Sequence, residues 1–136
     1  MTSKIIIYTD GGARNNPGPA GAGVVIFEGG KKVAEVKKFL GNQTNNWAEY
    51  EALILGLEEA KRLGFVGREL EIRMDSKLAV EQVLGNWKIK EPTLKPQVAK
   101  VRSLIDNFPE SRLVHVPREE NAEADALVNE AIDEAQ

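Results

Sequence analysis

Cysteine is absent from the 136 residues, and histidine occurs once, as His115. Without a thiol, disulfides, cysteine nucleophiles and thiolate zinc sites are excluded together. A single imidazole leaves a histidine metal site or a Ser-His triad almost no material. No apolar run approaches the roughly 18 residues that read as a membrane-spanning helix, and Ile5-Ile6-Ile7-Tyr8 is too short for the core of a signal peptide. The expectation is a soluble, cytoplasmic chain with no membrane partner. Neither GxxxxGKS/T nor GxGxxG occurs, which argues against a nucleotide cofactor. Positive charge is not in excess: 18 Lys and Arg against 21 Asp and Glu give a net charge of −3. A polyanionic substrate would therefore have to be held by local positive groups or by bound cations.

What is plentiful is carboxylate oxygen. Such ligands select hard divalent cations, magnesium or manganese. With 42% hydrophobic and 29% charged residues the composition is that of an ordinary globular protein. The length suits one domain, residues 1–136, read here as a monomer.

The most informative stretch is residues 4–23, KIIIYTDGGARNNPGPAGAG. An apolar run leads into Asp10, followed by Gly11, Gly12, Gly18, Gly21 and Gly23 with Pro17 and Pro19. This is more turn chemistry than a bare hairpin needs, and it reads as a shaped loop entering a second strand over residues 22–27. Residues 28–31 then make a hairpin turn into a third strand, 32–40. Residues 41–43 break the pattern, and Thr44, Asn45 and Asn46 offer helix caps for a helix to about residue 63.

On that helix Glu49 shares a stripe with Ala52, Leu53, Gly56, Leu57 and Ala60, which puts an acid at the head of the inward face. Such a placement is costly unless a cation or hydrogen-bond donors meet it. Residues 68–74 alternate as a strand that runs into Asp75 and Ser76, either of which could cap a helix over 77–84. A connector, 85–96, carries Trp87 among lysines; the ring could stack on nucleic acid or cover core. A helix over 97–107, a strand over 111–116 and a helix over 122–135 complete the chain. Asp125, one turn into the last helix, could be a plain helix-dipole acid.

The order β-β-β-α-β-α-α-β-α makes the strands ending at Asp10 and Asp75 suitable parallel neighbours, with their carboxyl ends at one sheet edge. Glu49 and Asp125 can join them there. Four anions so placed would repel by several kcal/mol at an effective dielectric of about 20, and only cations make the arrangement sensible.

Four blocks, YTDGGARNNPGPAGAG, TNNWAEYEALILGLEEA, MDSKLAVEQVLG and VPREENAEADALVNEA, together resemble ribonuclease HI, in order and spacing across essentially the whole chain. The resemblance implies an α/β ribonuclease H-like fold, a mixed five-stranded sheet of three antiparallel and two parallel strands flanked by helices. It implies an endonuclease acting on the RNA strand of RNA–DNA hybrids. Asp10, Glu49, Asp75 and Asp125 would be its catalytic and metal-holding acids, with two Mg2+ ions per site and Mn2+ as a substitute.

By the same matching, Asn16, Asn45 and Asn46 fall on hybrid-binding asparagines and Thr44 on a phosphate-contacting position. Lys77 replaces a polar residue, commonly Gln. Backbone groups of Gly11, Gly12 and Ala13 suit a ribose hydroxyl. The segment 85–96 is short, as in variants resembling archaeal forms that lack the longer basic handle, which throws weight on Trp87 and its lysines. The family's mobile-loop histidine has no secure counterpart. Counting back from Asp125 lands on His115, where LVHVP reads as a packed strand, and Arg118 and Glu119 in the loop are rivals for the role. Two alternatives stay open: a hybrid-binding module without turnover, and the same fold acting on duplex RNA or RNA–DNA junctions.

Overall fold

The computed structural model describes residues 3–136; the first two residues, part of the amino-terminal stretch read as lacking a signal peptide, lie outside the described residues. Strands β1 (Ile5–Ala13), β2 (Gly18–Glu28) and β3 (Lys31–Gln43) form an antiparallel meander. Gly29 and Gly30 make the β2–β3 turn, both at positive φ, the region glycine enters without steric cost. Helix α1 (Asn45–Arg62) follows, then β4 (Leu70–Met74), α2 (Lys77–Leu84), α3 (Lys95–Ile105), β5 (Ser111–His115) and α4 (Ala122–Glu134). Single 3-10 turns precede α3 at Pro92–Leu94 and α4 at Arg118–Asn121. The sheet order is β3-β2-β1-β4-β5, with β1–β4 and β4–β5 parallel. The expected mixed five-stranded sheet is present. Among the described residues no helix is long and apolar enough to cross a membrane.

The region expected to be a shaped loop is different. β1 continues through Gly11 and Gly12 to Ala13, and β2 begins at Gly18, pairing Gly11 with Ala22 and Gly12 with Gly21. None of those glycines is at positive φ. Their smallness serves close packing between sheet and helices rather than a turn, which composition alone does not distinguish. Asp10 accordingly lies within a strand, opposite Gly23 on β2. On the β4 side the ladder stops at Tyr8 and Arg73, so the carboxylate sits where β1 loses that neighbour.

Smaller differences follow the same logic. β3 runs on through residues 41–43 because a register shift there lets the strand continue past Leu40. β4 starts at Leu70 rather than 68. α3 starts earlier, at Lys95, because Pro96 in a first helical turn has no hydrogen bond to lose. Asp75 does not cap α2: Ser76 Oγ accepts from Ala79 N at 3.2 Å.

Helices α1 and α4 lie on opposite faces of the sheet. Gly11 faces α1 and Gly23 faces α4, and their registers put them on alternate sides. The stripe of α1 is buried as its spacing predicts, and Leu53 and Leu57 pack with Ile5, Ile7, Val24, Ile72 and Met74. On β4, Glu71 is only 4% exposed. It accepts from Lys4, Arg73 and Arg112 at 2.9, 2.6 and 2.6 Å. The Lys4 ammonium foremost, then the two guanidiniums, hold its carboxyl well below the usual range, at about 2.

Candidate active site

Each acid is delivered by a separate element, and two glycines set how closely the helices approach. A Cβ on Gly11 would stand 2.1 Å from the Ala48 carbonyl oxygen. With no side chain there, the first turn of α1 lies against β1, and Gly11 N–H donates to Glu49 Oε1 at 2.7 Å. Thr44 fixes where the helix begins, its hydroxyl accepting from Trp47 N at 3.2 Å. On the other face a Cβ on Gly23 would stand 2.3 Å from the Ala124 carbonyl oxygen. That contact brings Asp125, in the first turn of α4, beside the strand pair that carries Asp10. Asn121, immediately before α4, is buried and donates to the Thr9 carbonyl oxygen at 2.9 Å, tying the helix start to β1.

Asp10, Glu49 and Asp75 each place a carboxylate oxygen within 4.8 Å of the others. Asp125 lies outside that triplet but lines the same open cleft, of ≈ 500 Å3. None of the four forms a salt bridge among the described residues. Asp10 and Glu49 are buried, 7% and 6% exposed, and both titrate above the ordinary carboxylate range. For Asp10, burial is the largest cause, and the charges of Glu49 and Asp75 add to it. For Glu49, burial raises the pKa against the Gly11 N–H, which stabilises the ionised form.

The remaining oxygen, Glu49 Oε2, is buried without a hydrogen-bond partner. Converging carboxylates that no side-chain cation pairs with among the described residues, and an orphaned oxygen, are what a hard divalent ion would satisfy. The residues present fit such a group.

The cleft also collects Gly11, Gly12, Ala13, Asn45, Asn46 and Arg118 from the residues singled out in the sequence. Asn16 is not among the residues lining it but holds one that is: its Oδ1 accepts from Asn45 N at 2.9 Å, while Asn45 Oδ1 accepts from Ala13 N at 2.7 Å. The N–H groups of Gly11 and Ala13 are thus engaged inside the protein. Trp87 lies in an adjoining cleft of ≈ 490 Å3 with Lys88 and Lys90, and Asn46 lines both. Lys77 Nζ stands 5.7 Å from the Trp87 ring centroid.

His115 is not packed as its strand context suggested. It ends β5 opposite Met74, exposed, and is not among the residues that line the cleft. Glu119 lines a different cavity with Tyr8 and Phe27. Of the three loop candidates only Arg118 reaches the acids' cleft. The sequence reading missed Arg14 and Asn129, which also line it; Arg14 looked like part of a turn, and nothing marked Asn129 on its helix.

Comparison with known proteins gives consistent results. A family model described as reverse transcriptase-like matches residues 8–131. The chain is 44% identical over 133 residues to ribonuclease HI of Halobacterium salinarum, covering 97% of this chain and 66% of that protein. It is 32% identical to ribonuclease HI of Caulobacter vibrioides, covering 99% of this chain and 97% of the relative. It is also 44% identical to a bifunctional protein of Mycobacterium tuberculosis, of which it spans only 36%. Among solved structures, LC11-RNase H1, isolated from compost by a metagenomic approach, superposes with a TM-score of 0.93 at 55% identity, covering 98% of both chains. The same compost protein in complex with an RNA/DNA hybrid gives a TM-score of 0.91, covering 96% of this chain and 98% of that one.

Proposed function

The chain belongs to the ribonuclease HI family, and on that premise we propose that residues 1–136 form one catalytic domain, a metal-dependent endonuclease that hydrolyses the RNA strand of RNA–DNA hybrids. The observation that carries this reading is the meeting of Asp10, Glu49 and Asp75 oxygens within 4.8 Å, none of them in a salt bridge among the described residues. The compost relative's complex with a hybrid supports the choice of substrate.

Asp10 and Asp75 would hold divalent ions, Mg2+ or Mn2+, with Glu49 helping to hold them and Asp125 completing a second site. When bound, such ions supply the Lewis acidity that activates a water for in-line attack and offsets charge on the leaving oxygen. The chain's own residues do the rest. Glu49 is pinned by Gly11 N–H through Oε1, which fixes the carboxylate where it can help hold a cation and accept from a ribose 2′-OH, a group DNA lacks. Asn45 and Asn16 have their carbonyl oxygens engaged internally, so they present amide N–H donors to sugar and base edges in a minor groove. Thr44 accepts from its own helix and keeps its O–H proton for a phosphate. Trp87 and Lys77 form a cation–π pair that would carry the backbone beyond the cleft. Arg118, the loop candidate that lines the cleft, would assist product departure.

The test is a cleavage panel with Mg2+ or Mn2+: RNA–DNA hybrid, duplex RNA, duplex DNA and a duplex with one ribonucleotide. Cutting of the RNA strand of the hybrid in preference to the others supports the reading. Binding of hybrid with no cleavage at any divalent concentration would replace it with a binding module.

A further inference from the structure

Among the described residues two side chains lining the acids' cleft carry positive charge, Arg14 and Arg118, and of these Arg14 alone has side-chain partners. It projects from the tip of the β1–β2 hairpin, past the last ladder pair of β1, Ala13 with Ala20. Its Nη1 lies 2.7 Å from Asp133 Oδ1, and its Nη2 donates to Asn129 Oδ1 at 3.2 Å, both on α4. Asn129 in turn donates to the Asp125 carbonyl oxygen at 3.1 Å. The guanidinium is therefore fixed relative to the residue that brings the fourth acid. A guanidinium has five N–H donors, and no further acceptor meets this one among the described residues.

A structural clip is the plain reading, and its magnitude is small. Asp133 is 65% and Arg14 38% exposed, and an ion pair that open contributes about 0–1 kcal/mol. A polyanion, by contrast, enters a cleft lined by four carboxylates and needs a charge-assisted contact there. An oriented guanidinium fork suits a phosphate better than a free lysine does. We infer that Arg14 binds a backbone phosphate of the strand lying in the cleft, with Asp133 and Asn129 setting the direction of its remaining donors. The inference deepens the hybrid-cleaving reading and rests on it.

Steady-state cleavage of a labelled RNA–DNA hybrid by the parent, Arg14→Gln, Arg14→Lys and Asp133→Asn, across about 50 to 200 mM salt, tests it. Arg14→Gln is expected to raise KM about tenfold with kcat within about threefold, and to flatten the slope of log KM against log salt by about 0.9. Arg14→Lys, which keeps the charge without the fork, retains the slope with an intermediate KM. Asp133→Asn, which loosens the clip and leaves the guanidinium, keeps the slope and gives a KM between those of the parent and Arg14→Gln. Arg14→Gln with a lowered Tm but parental KM and slope would overturn the inference, as would Asp133→Asn matching Arg14→Gln in both. Anisotropy with the same hybrid in an Asp10→Asn background makes the same comparison without turnover. A parent that binds but does not cut thus refutes the hydrolase reading separately, while equal binding slopes refute the role of Arg14.

Discussion

Gly11 N–H donates to Glu49 Oε1 at 2.7 Å across 38 residues of chain, and it does so because Gly11 has no side chain to hold α1 away. One backbone contact thus joins the strand that carries Asp10 to the helix that carries Glu49. The site's geometry depends on that approach.

Gly11→Ala is therefore expected to damage more than a turn would. Its Cβ meets backbone, the Ala48 carbonyl, at 2.1 Å, so the first turn of α1 must move. We expect a loss of about 2–3 kcal/mol by urea denaturation, together with a fall in kcat much larger than the stability loss explains at assay temperature. Parental stability and kcat would mean that the helix approach is not constrained there.

Asp10→Asn separates stability from chemistry. In metal-free protein it removes one of three mutually repelling carboxylates, so stability should rise by about 1–3 kcal/mol. Added Mg2+ should raise the parent's Tm far more than the variant's, and hybrid affinity should be largely kept. A variant less stable than the metal-free parent would show that Asp10 is held by favourable protein contacts instead.

Glu71 governs acid stability. Its folded pKa is depressed to about 2 from 4.5, so the native state binds a proton less readily than the unfolded chain. Its contribution is complete above pH 4.5 and is lost as pH falls toward 2, by up to about 3 kcal/mol. Glu71→Gln should flatten the fall in unfolding free energy between pH 5 and pH 2.5. Parallel curves for parent and variant would contradict the ion cluster's role.

Trp87 is 43% exposed, so its removal should leave stability within about 1 kcal/mol. If the ring carries a sugar or base, Trp87→Ala raises KM for hybrid about tenfold with little change in kcat. An unaltered KM would return the ring to a covering role.

Much of this was legible in the chain. Glu49 stood on an inward stripe, and an acid at helical spacing with Leu53 and Leu57 is a contradiction that only a site resolves. The resemblance of four spaced blocks gave the sheet and its acids. The glycines after Asp10 misled because composition marks smallness without saying whether a turn or a neighbouring helix requires it. Gly11 and Gly23 answer to Ala48 and Ala124, contacts made across the fold. Arg14 was hidden for the same reason: its partners, Asn129 and Asp133, lie more than a hundred residues away on α4. His115 sat in a strand pattern whose apolar neighbours suggested packing, whereas β5 is the sheet's edge and its last residue is exposed.

The central claim is that Asp10, Glu49, Asp75 and Asp125 act together as a cation-dependent hydrolytic site. End-labelled RNA annealed to DNA, incubated with parent and with Asp10→Asn in Mg2+ and in excess chelator, measures it most directly. The expected result is internal cuts in the RNA strand by the parent in Mg2+ alone, with the variant slower by roughly 10³-fold or more. Undiminished cutting in chelator, or by Asp10→Asn at the parental rate, would contradict the account.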